Sequence, residues 1–332
     1  MSRSQFHFYR TFVPALHGLK DPVVLSFDDA SFAKARAADP AEIPHHFIHS
    51  GNFFSPPYSK KPELRTKERV LSLQEKLMND RTDGLMTLNV PVGSDFKVPY
   101  WKHAKADRLR ALETSLEAAL WAGEHAQRPE LLYAGFEVGT FHDALHIFAR
   151  AFNADFMQLS AGFGVFSRIA KFRSEDRIKQ FEVLAGYNQL LGEFGGARFH
   201  ASGGSSLNVL ELLAFANVTS ADGSTAVIAG LAYGSVLTAS GRLVKADKIT
   251  EWTCDCEFCS RKDMADTVRN LKRSSEARVR HNVHITRLSE ARINDALANN
   301  TIAELTEERL AEYGRKDLWR CYALVRKKRT RS

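Results

Sequence analysis

Cysteine is scarce in this chain, with four in 332 residues, too few for a disulfide-stapled extracellular scaffold. No apolar run approaches the roughly 20 residues that a membrane-spanning helix needs. The N-terminus, Met1-Ser-Arg-Ser-Gln-Phe6, lacks the apolar core of a signal peptide. No G-x-G-x-x-G follows the first strand signal and no G-x-x-x-x-G-K-[ST] occurs, so nucleotide-cradling folds have no support. Together these absences predict a protein of a reducing, cytoplasmic compartment with no membrane partner.

Three of the four cysteines fall within six residues, in Trp252-Thr-Cys-Asp-Cys-Glu-Phe-Cys259. Cys254, Cys256 and Cys259 have the spacing C-x-C-x-x-C, and His281 and His284 follow a helix later. A chance cluster or a redox pair is the plainer alternative. The spacing, with an imidazole downstream, is instead that of a metal site. Thiolates and one imidazole satisfy tetrahedral zinc, with His281 or His284 as the fourth ligand. Four protein ligands leave no open position, so this Zn2+ is expected to be structural and the chemistry to lie elsewhere.

The formal charge is +7, and its placement is informative. The chain ends Arg326-Lys-Lys-Arg-Thr-Arg-Ser332, and Arg261, Lys262, Arg269, Lys272, Arg273, Arg278 and Arg280 flank the cysteine region. Basic surface of this kind suits a phosphate backbone, although a merely solvated tail has the same composition.

Buried-type strand signals occur at 22–27, 46–50, 84–90, 131–138, 156–160, 197–201 and 218–222. Helical patterns connect them, the clearest at 106–125 with Leu109, Leu112, Leu116, Ala119 and Leu120 on one face. The aromatics Phe6, Phe8, Tyr9 and Phe12 form a lead-in strand or loop without clean periodicity. Alternation of this kind implies an α/β fold with a parallel sheet, and its length favours a (β/α)8 TIM barrel over an open sheet. Tyr233–Leu243 reads as a hairpin ahead of the cysteines. The expected organisation is a catalytic barrel over 1–245 and a zinc-binding helical subdomain with a basic tail over 246–332.

In such a barrel the active site lies at the C-terminal ends of the strands. The polar residues there are Asp28, Asp29, His49, Ser50, Asn89, Glu137, His200, Ser202 and Asp222, with Gly162-Phe-Gly164 following the fifth strand signal. Any one of these is also an ordinary strand-end cap. Several converging carboxylates and imidazoles would carry more weight than one.

The cysteine cluster with its downstream His-Asn, set after a strand–helix alternation, resembles the tRNA-guanine transglycosylase superfamily. Asn217-Val-Thr-Ser-Ala-Asp222 is similar to that family's nucleophile segment, V-D-x-F-D, which precedes a hairpin and the cysteines. Its D-S-G-G-F motif aligns with His49-Ser-Gly-Asn-Phe53, its M-A-x-D strand end with Leu85-Met-Thr-Leu-Asn89, and its V-Q-G segment with Phe136-Glu-Val-Gly139. Ser202-Gly-Gly-Ser-Ser-Leu-Asn208 resembles the segment G-x-G-x-P. The likeness spans roughly residues 20–300 and is loose before 130. It implies an enzyme, a pentosyltransferase that exchanges guanine for a 7-deazaguanine through a covalent Asp222-glycosyl intermediate. His49 stands where the family has an acid/base Asp, and a His titrates near neutrality. Asp28 or Asp29 remains the alternative acid. Ser50, Gly51, Asn89, Glu137, Gly162, Gly164 and Asp28 are the implied base-binding positions.

The departures at His49, Asn89 and Glu137 resemble the branch acting on DNA, the DNA-guanine transglycosylases of bacterial and phage 7-deazapurine modification. The resemblance implies 7-cyano-7-deazaguanine or a close analogue as substrate, DNA as partner, and a bacterial or phage-infected cell. Such an enzyme must flip its target nucleotide, and Phe136, Phe163 and Tyr233 are candidates for stacking on it. A tRNA enzyme with a divergent pocket and a non-catalytic nucleic-acid-binding paralogue are the alternatives. A homodimer, or a partner protein that opens the duplex, is also implied.

Overall fold

The computed structural model describes residues 5–11, 23–25, 45–50, 66–93, 98, 100–137, 142–143, 145–146, 150, 162–166, 178–179, 181–186, 198–202, 207–252, 254, 256, 258–259 and 263–329. Eight short strands run parallel: β1 (His7–Thr11), β2 (Val23–Leu25), β3 (His46–Ile48), β4 (Thr82–Met86), β5 (Leu132–Glu137), β6 (Gly162–Phe166), β7 (Arg198–Ser202) and β8 (Ser220–Gly223). Each pairs with the next in chain order, and β8 pairs with β1 through Tyr9↔Asp222 and its neighbours, so the sheet closes on itself. Parallel pairing puts every C-terminal strand end at one mouth.

Alternation along the strands decides what faces the interior. Tyr9, Phe47, Met86 and Tyr133 pack together there, with His200 against Tyr9, Phe47 and Tyr133. Gly84 is required at this level, because a Cβ on it would lie 2.5 Å from Phe47 and 2.7 Å from Tyr133. The outward residues Phe8, Ala134, Phe136, Phe199, Ala201 and Ala221 enter the main apolar core beneath the helices. Phe136 is therefore a core residue, and no base can stack on it.

The lead-in segment takes the strand alternative: Phe8 and Tyr9 lie in β1, Phe6 just precedes it, and Phe12 lies outside the described residues. Phe6 and Phe8 face the core and Tyr9 the interior, so both faces are apolar and the alternation is masked. Gly162 and Gly164 lie within β6 itself, with Gly162 beside Tyr133 and Arg198 at the strand's start, remote from the mouth. The strand expected at 156–160 falls outside the described residues.

The helices are α1 (Lys67–Glu75), α2 (Lys105–His125), α3 (Leu207–Phe215), α4 (Thr225–Leu231), α5 (Met264–Arg273), α6 (Ser275–Ala298), α7 (Ile302–Tyr313) and α8 (Lys316–Arg329). Thr66, Asp263 and Ser274 cap α1, α5 and α6 by accepting from the backbone N–H three residues on. Gly314, at φ 62°, ends α7 in the left-handed conformation. Between α4 and α5, β9 (Ser235–Leu237) and β10 (Leu243–Lys245) form an antiparallel hairpin.

Helix α6 joins this C-terminal region to the barrel. Its Asn282 accepts from Leu237 N and donates to Ala226 O, and Arg278 donates to Gly230 O. On the other side it reaches β1. The buried Arg10 pairs with Glu290 and Thr286, and Phe6 N and Phe8 N donate to Asn294 and Glu290. Ile285, Ile293, Ile302, Leu310 and Val325 share one core with Phe8, Phe136 and Leu210. Around the boundary expected at 245/246, Val236, Ala246, Ile249, Leu271 and Ala277 form a separate cluster, while α6, α7 and α8 share the barrel's core.

The basic tail is also more ordered than a solvated run. Through Arg329 it is helix α8, where Arg326 pairs with Glu307, and Arg329 donates to Phe215 O while lying over the Phe215 ring. Of the basic residues near the cysteines, Arg278 is buried on carbonyls, while Arg269 and Arg280 pair with Asp266 and Glu276. Such exposed pairs cost little to break. Among the described residues no helix is long and apolar enough to cross a membrane.

Candidate functional site

Two clusters of metal-ligating side chains stand out among the described residues. The first is Cys254, Cys256, Cys259 and His281, whose donor atoms all lie within 4.8 Å of one another. Cys259 N donates to Cys256 O and Cys256 N faces Cys254 Sγ at 3.4 Å, a tight turn that aims the sulfurs one way. His281 arrives from α6 with Nδ1 3.7 Å from Cys256 Sγ and 3.6 Å from Cys259 Sγ. A thiolate about 2.3 Å and an imidazole nitrogen about 2.0 Å from a shared tetrahedral cation stand about 3.6 Å apart, so the spacing fits a metal ion. His281 Nε2–H donates to Leu237 O at 2.8 Å, which leaves Nδ1 as the ligand atom. His284, the other sequence candidate, lies outside this group.

Thiol electrostatics point the same way. Hydrogen bonds from Cys254 and Cys259 hold the Cys256 thiol well below its ordinary value, while Cys254 and Cys256 push Cys259 well above it. Three sulfurs at this range cannot all ionise side by side unless a cation neutralises them. Burial lowers the His281 imidazole, but hydrogen bonds to Cys254 and Cys256 outweigh it and raise the group to about 9.

The second cluster sits at the barrel mouth. His49 follows β3, Ser202 ends β7 and Asp222 lies in β8. His49 Nε2 is 2.8 Å from Asp222 Oδ2 and 2.9 Å from Ser202 Oγ. His200, two residues before Ser202 on the same face of β7, brings Nε2 to 3.0 Å from the same Asp222 oxygen. A carboxylate only accepts, so both Nε2 atoms carry hydrogen, and His200 Nδ1 accepts from Ser220 Oγ at 2.8 Å. Phe47 stacks flat on His200, with ring centroids 4.1 Å apart and planes 9° apart.

Burial alone would raise the Asp222 carboxyl, but the charge and hydrogen bonds of His49 and His200 outweigh it and hold it well below the usual carboxylate range. Burial pushes the His200 imidazole below its ordinary value, with the hydrogen bond and charge of Asp222 acting against it. The mouth therefore holds a carboxylate that favours its ionised form, faced by the His200 ring and by His49, which is buried but at the edge of solvent.

Other expected site residues divide into three groups. Ser50 Oγ and Asn89 Oδ1 are buried with no hydrogen-bond partner among the described residues. Glu137 Oε2 accepts from Val92 N at 2.8 Å, so this carboxylate also anchors the segment after β4. Gln74 of α1 braces the same end of the barrel by donating to Ile48 O and Met86 O. Asp28, Asp29 and Gly51 lie outside the described residues. Sequence reasoning put His200 among strand-end candidates without a role. The signal it missed is the i, i+2 pairing of His200 with Ser202 and of Ser220 with Asp222, which turns all four side chains inward. No protein-family model matches the chain, and no curated protein does.

Proposed function

We propose that the chain is a base-exchange transglycosylase built on a (β/α)8 barrel, replacing guanine in DNA by a 7-deazaguanine. The observation that carries this reading is the 2.8 Å approach of His49 to Asp222, residues 173 apart in sequence, at the barrel mouth. In the reaction an Asp222 oxygen attacks the anomeric carbon as the bond to the guanine nitrogen breaks, giving a glycosyl ester. His49 gives its proton to the departing base. The incoming 7-deazaguanine then attacks the same carbon, its proton returns to His49, and the Asp222 carboxylate is released. His200 fixes the carboxylate through its Nε2 contact with Asp222 Oδ2. Ser50 and Asn89 supply hydrogen bonds to the base edge, and Glu137 contributes from β5 while holding the neighbouring segment.

Zinc is the proposed ion of the Cys254, Cys256, Cys259 and His281 cluster, where four protein ligands leave it a structural role. Incubation with labelled guanine or 7-cyano-7-deazaguanine and either plasmid DNA or bulk tRNA tests the function. Label is expected in DNA, and Asp222→Asn is expected to abolish it with metal content unchanged. Incorporation into tRNA alone would move the assignment to a tRNA enzyme. Incorporation into neither would leave a nucleic-acid-binding paralogue.

A further inference from the structure

We propose that His49, His200 and Asp222 also form a second cation site, at the barrel mouth, for a first-row divalent ion. Two imidazoles and one carboxylate are a recognised donor set for such ions, and they leave positions open to water. The three donor atoms, His49 Nε2, His200 Nε2 and Asp222 Oδ2, lie within 4.8 Å of one another, and all three residues are buried.

The edge lengths favour a definite geometry. Ligands about 2.1 Å from a cation and at right angles stand about 3.0 Å apart, whereas tetrahedral ligands stand about 3.4 Å apart. The two nitrogens lie 2.8 and 3.0 Å from Asp222 Oδ2. Both edges to Asp222 Oδ2 match the right-angle value, and the three residues' donor atoms lie within 4.8 Å of one another, so octahedral or five-coordinate capping suits this face and retains two or three open positions. This is the reverse of the cysteine cluster, whose four ligands close a tetrahedron.

The surroundings of His200 permit the change of state that binding requires. A metal ligand must present a lone pair at Nε2, so the ring hydrogen must move to Nδ1. There it meets Ser220 Oγ at 2.8 Å, and a hydroxyl accepts as readily as it donates. The Phe47 stack holds the ring plane in either tautomer. Occupancy and the His49–Asp222 hydrogen bond exclude each other. On the transglycosylase reading, an added cation therefore inhibits exchange reversibly.

Cobalt(II) titrated into the full, zinc-loaded chain tests the site, with bound metal counted after dialysis. The expected result is one equivalent beyond the zinc, without a thiolate-to-cobalt absorption band, lost in both His49→Gln and His200→Gln while zinc is retained. Three results would each overturn the proposal: no extra equivalent in the native chain, an extra equivalent that survives both substitutions, or a thiolate band showing that cobalt had entered the cysteine site. The count is independent of catalysis. A chain that binds the extra ion but exchanges no base would overturn only the transglycosylase reading.

Discussion

His281 and His200 are both buried rings, and each is fixed through the nitrogen that faces away from its cluster. The partners differ, and that difference separates the two sites. Leu237 O is a carbonyl and can only accept, so it keeps hydrogen on His281 Nε2 and commits Nδ1 to the cysteines. Ser220 Oγ is a hydroxyl, so His200 can turn hydrogen at Nε2 toward Asp222 or, in the other tautomer, a lone pair toward a cation. One ring is locked in a single chemical state, and the other is free to change. On the proposed reading, the cysteine site holds an ion while the mouth exchanges protons or ligands.

Removing the metal from the locked site should have the largest effect. Apparent binding free energies of structural zinc are on the order of 10 kcal/mol, comparable with the whole stability of a domain. Chelation should therefore lower the melting temperature steeply and expose amides of the hairpin and of α6 to exchange, since Asn282 and His281 tie these elements together. A melting curve unmoved by chelation would break the comparison at its strong end. Metal binding needs the neutral imidazole, and the metal-free His281 holds its proton up to about 9. Affinity should therefore fall as pH drops below that value, by up to about tenfold per unit for this proton alone.

Asp222→Asn comes next. Loss of a covalent nucleophile costs about 10⁴-fold or more in turnover, read as label incorporated into DNA. Its effect on stability has a definite sign. The folded-state carboxyl is held below its unfolded value, so the stabilisation is present above about pH 4 and is lost on acidification. The variant should be less stable than the native chain at neutral pH, and the gap should narrow in acid. An active Asp222→Asn enzyme would remove the nucleophile assignment altogether.

Phe47→Ala is the third test. The ring fills the barrel interior between Tyr9, Tyr133 and His200, and its loss should cost about 3–5 kcal/mol in denaturant unfolding. It should also release the His200 plane and depress exchange, while the cysteine site keeps its metal. Equal damage at both sites would mean that they are not separately supported.

How far each site was legible from the residues follows the same division. The cysteine cluster is compact in sequence: three ligands sit within six residues, and helical spacing carries the fourth. What could not be chosen was His281 over His284, because that depends on which face of α6 meets the hairpin. The mouth gathers residues from β3, β7 and β8, so no local pattern contains it. Asp222 stands out in the sequence only through the resemblance of Asn217–Asp222 to a segment that precedes a hairpin and the cysteines. His200 and Ser202 needed the strand alternation, which fixes who faces inward only once the register is known. The first strand was obscured because a strand buried on both faces shows no polar alternation. Gly162 and Gly164 were displaced because glycines read as a turn, whereas here they open and centre a strand paired with β5 and β7.

Ser220→Ala is the finest cut, because it removes only the group that allows His200 to change state. The hydroxyl bond itself is worth about 1 kcal/mol, and the fold should survive its loss. Without it, His200 Nδ1 has no donor to accept from and no acceptor to give to, while Asp222 still attracts the hydrogen at Nε2. Binding of a second cation should therefore weaken about 10- to 100-fold, as it does when the outer partner of a ligating His is removed. Turnover should fall much less than in Asp222→Asn, since His49 and the carboxylate remain. The metal count at Cys254, Cys256, Cys259 and His281 should not change. Threonine at 220 restores a hydroxyl and should recover cation binding. If Ser220→Ala binds the second ion as tightly as the native chain, the hydroxyl is not what makes the mouth adaptable. The contrast between His200 and His281 then has to lie in burial or in the Phe47 stack instead.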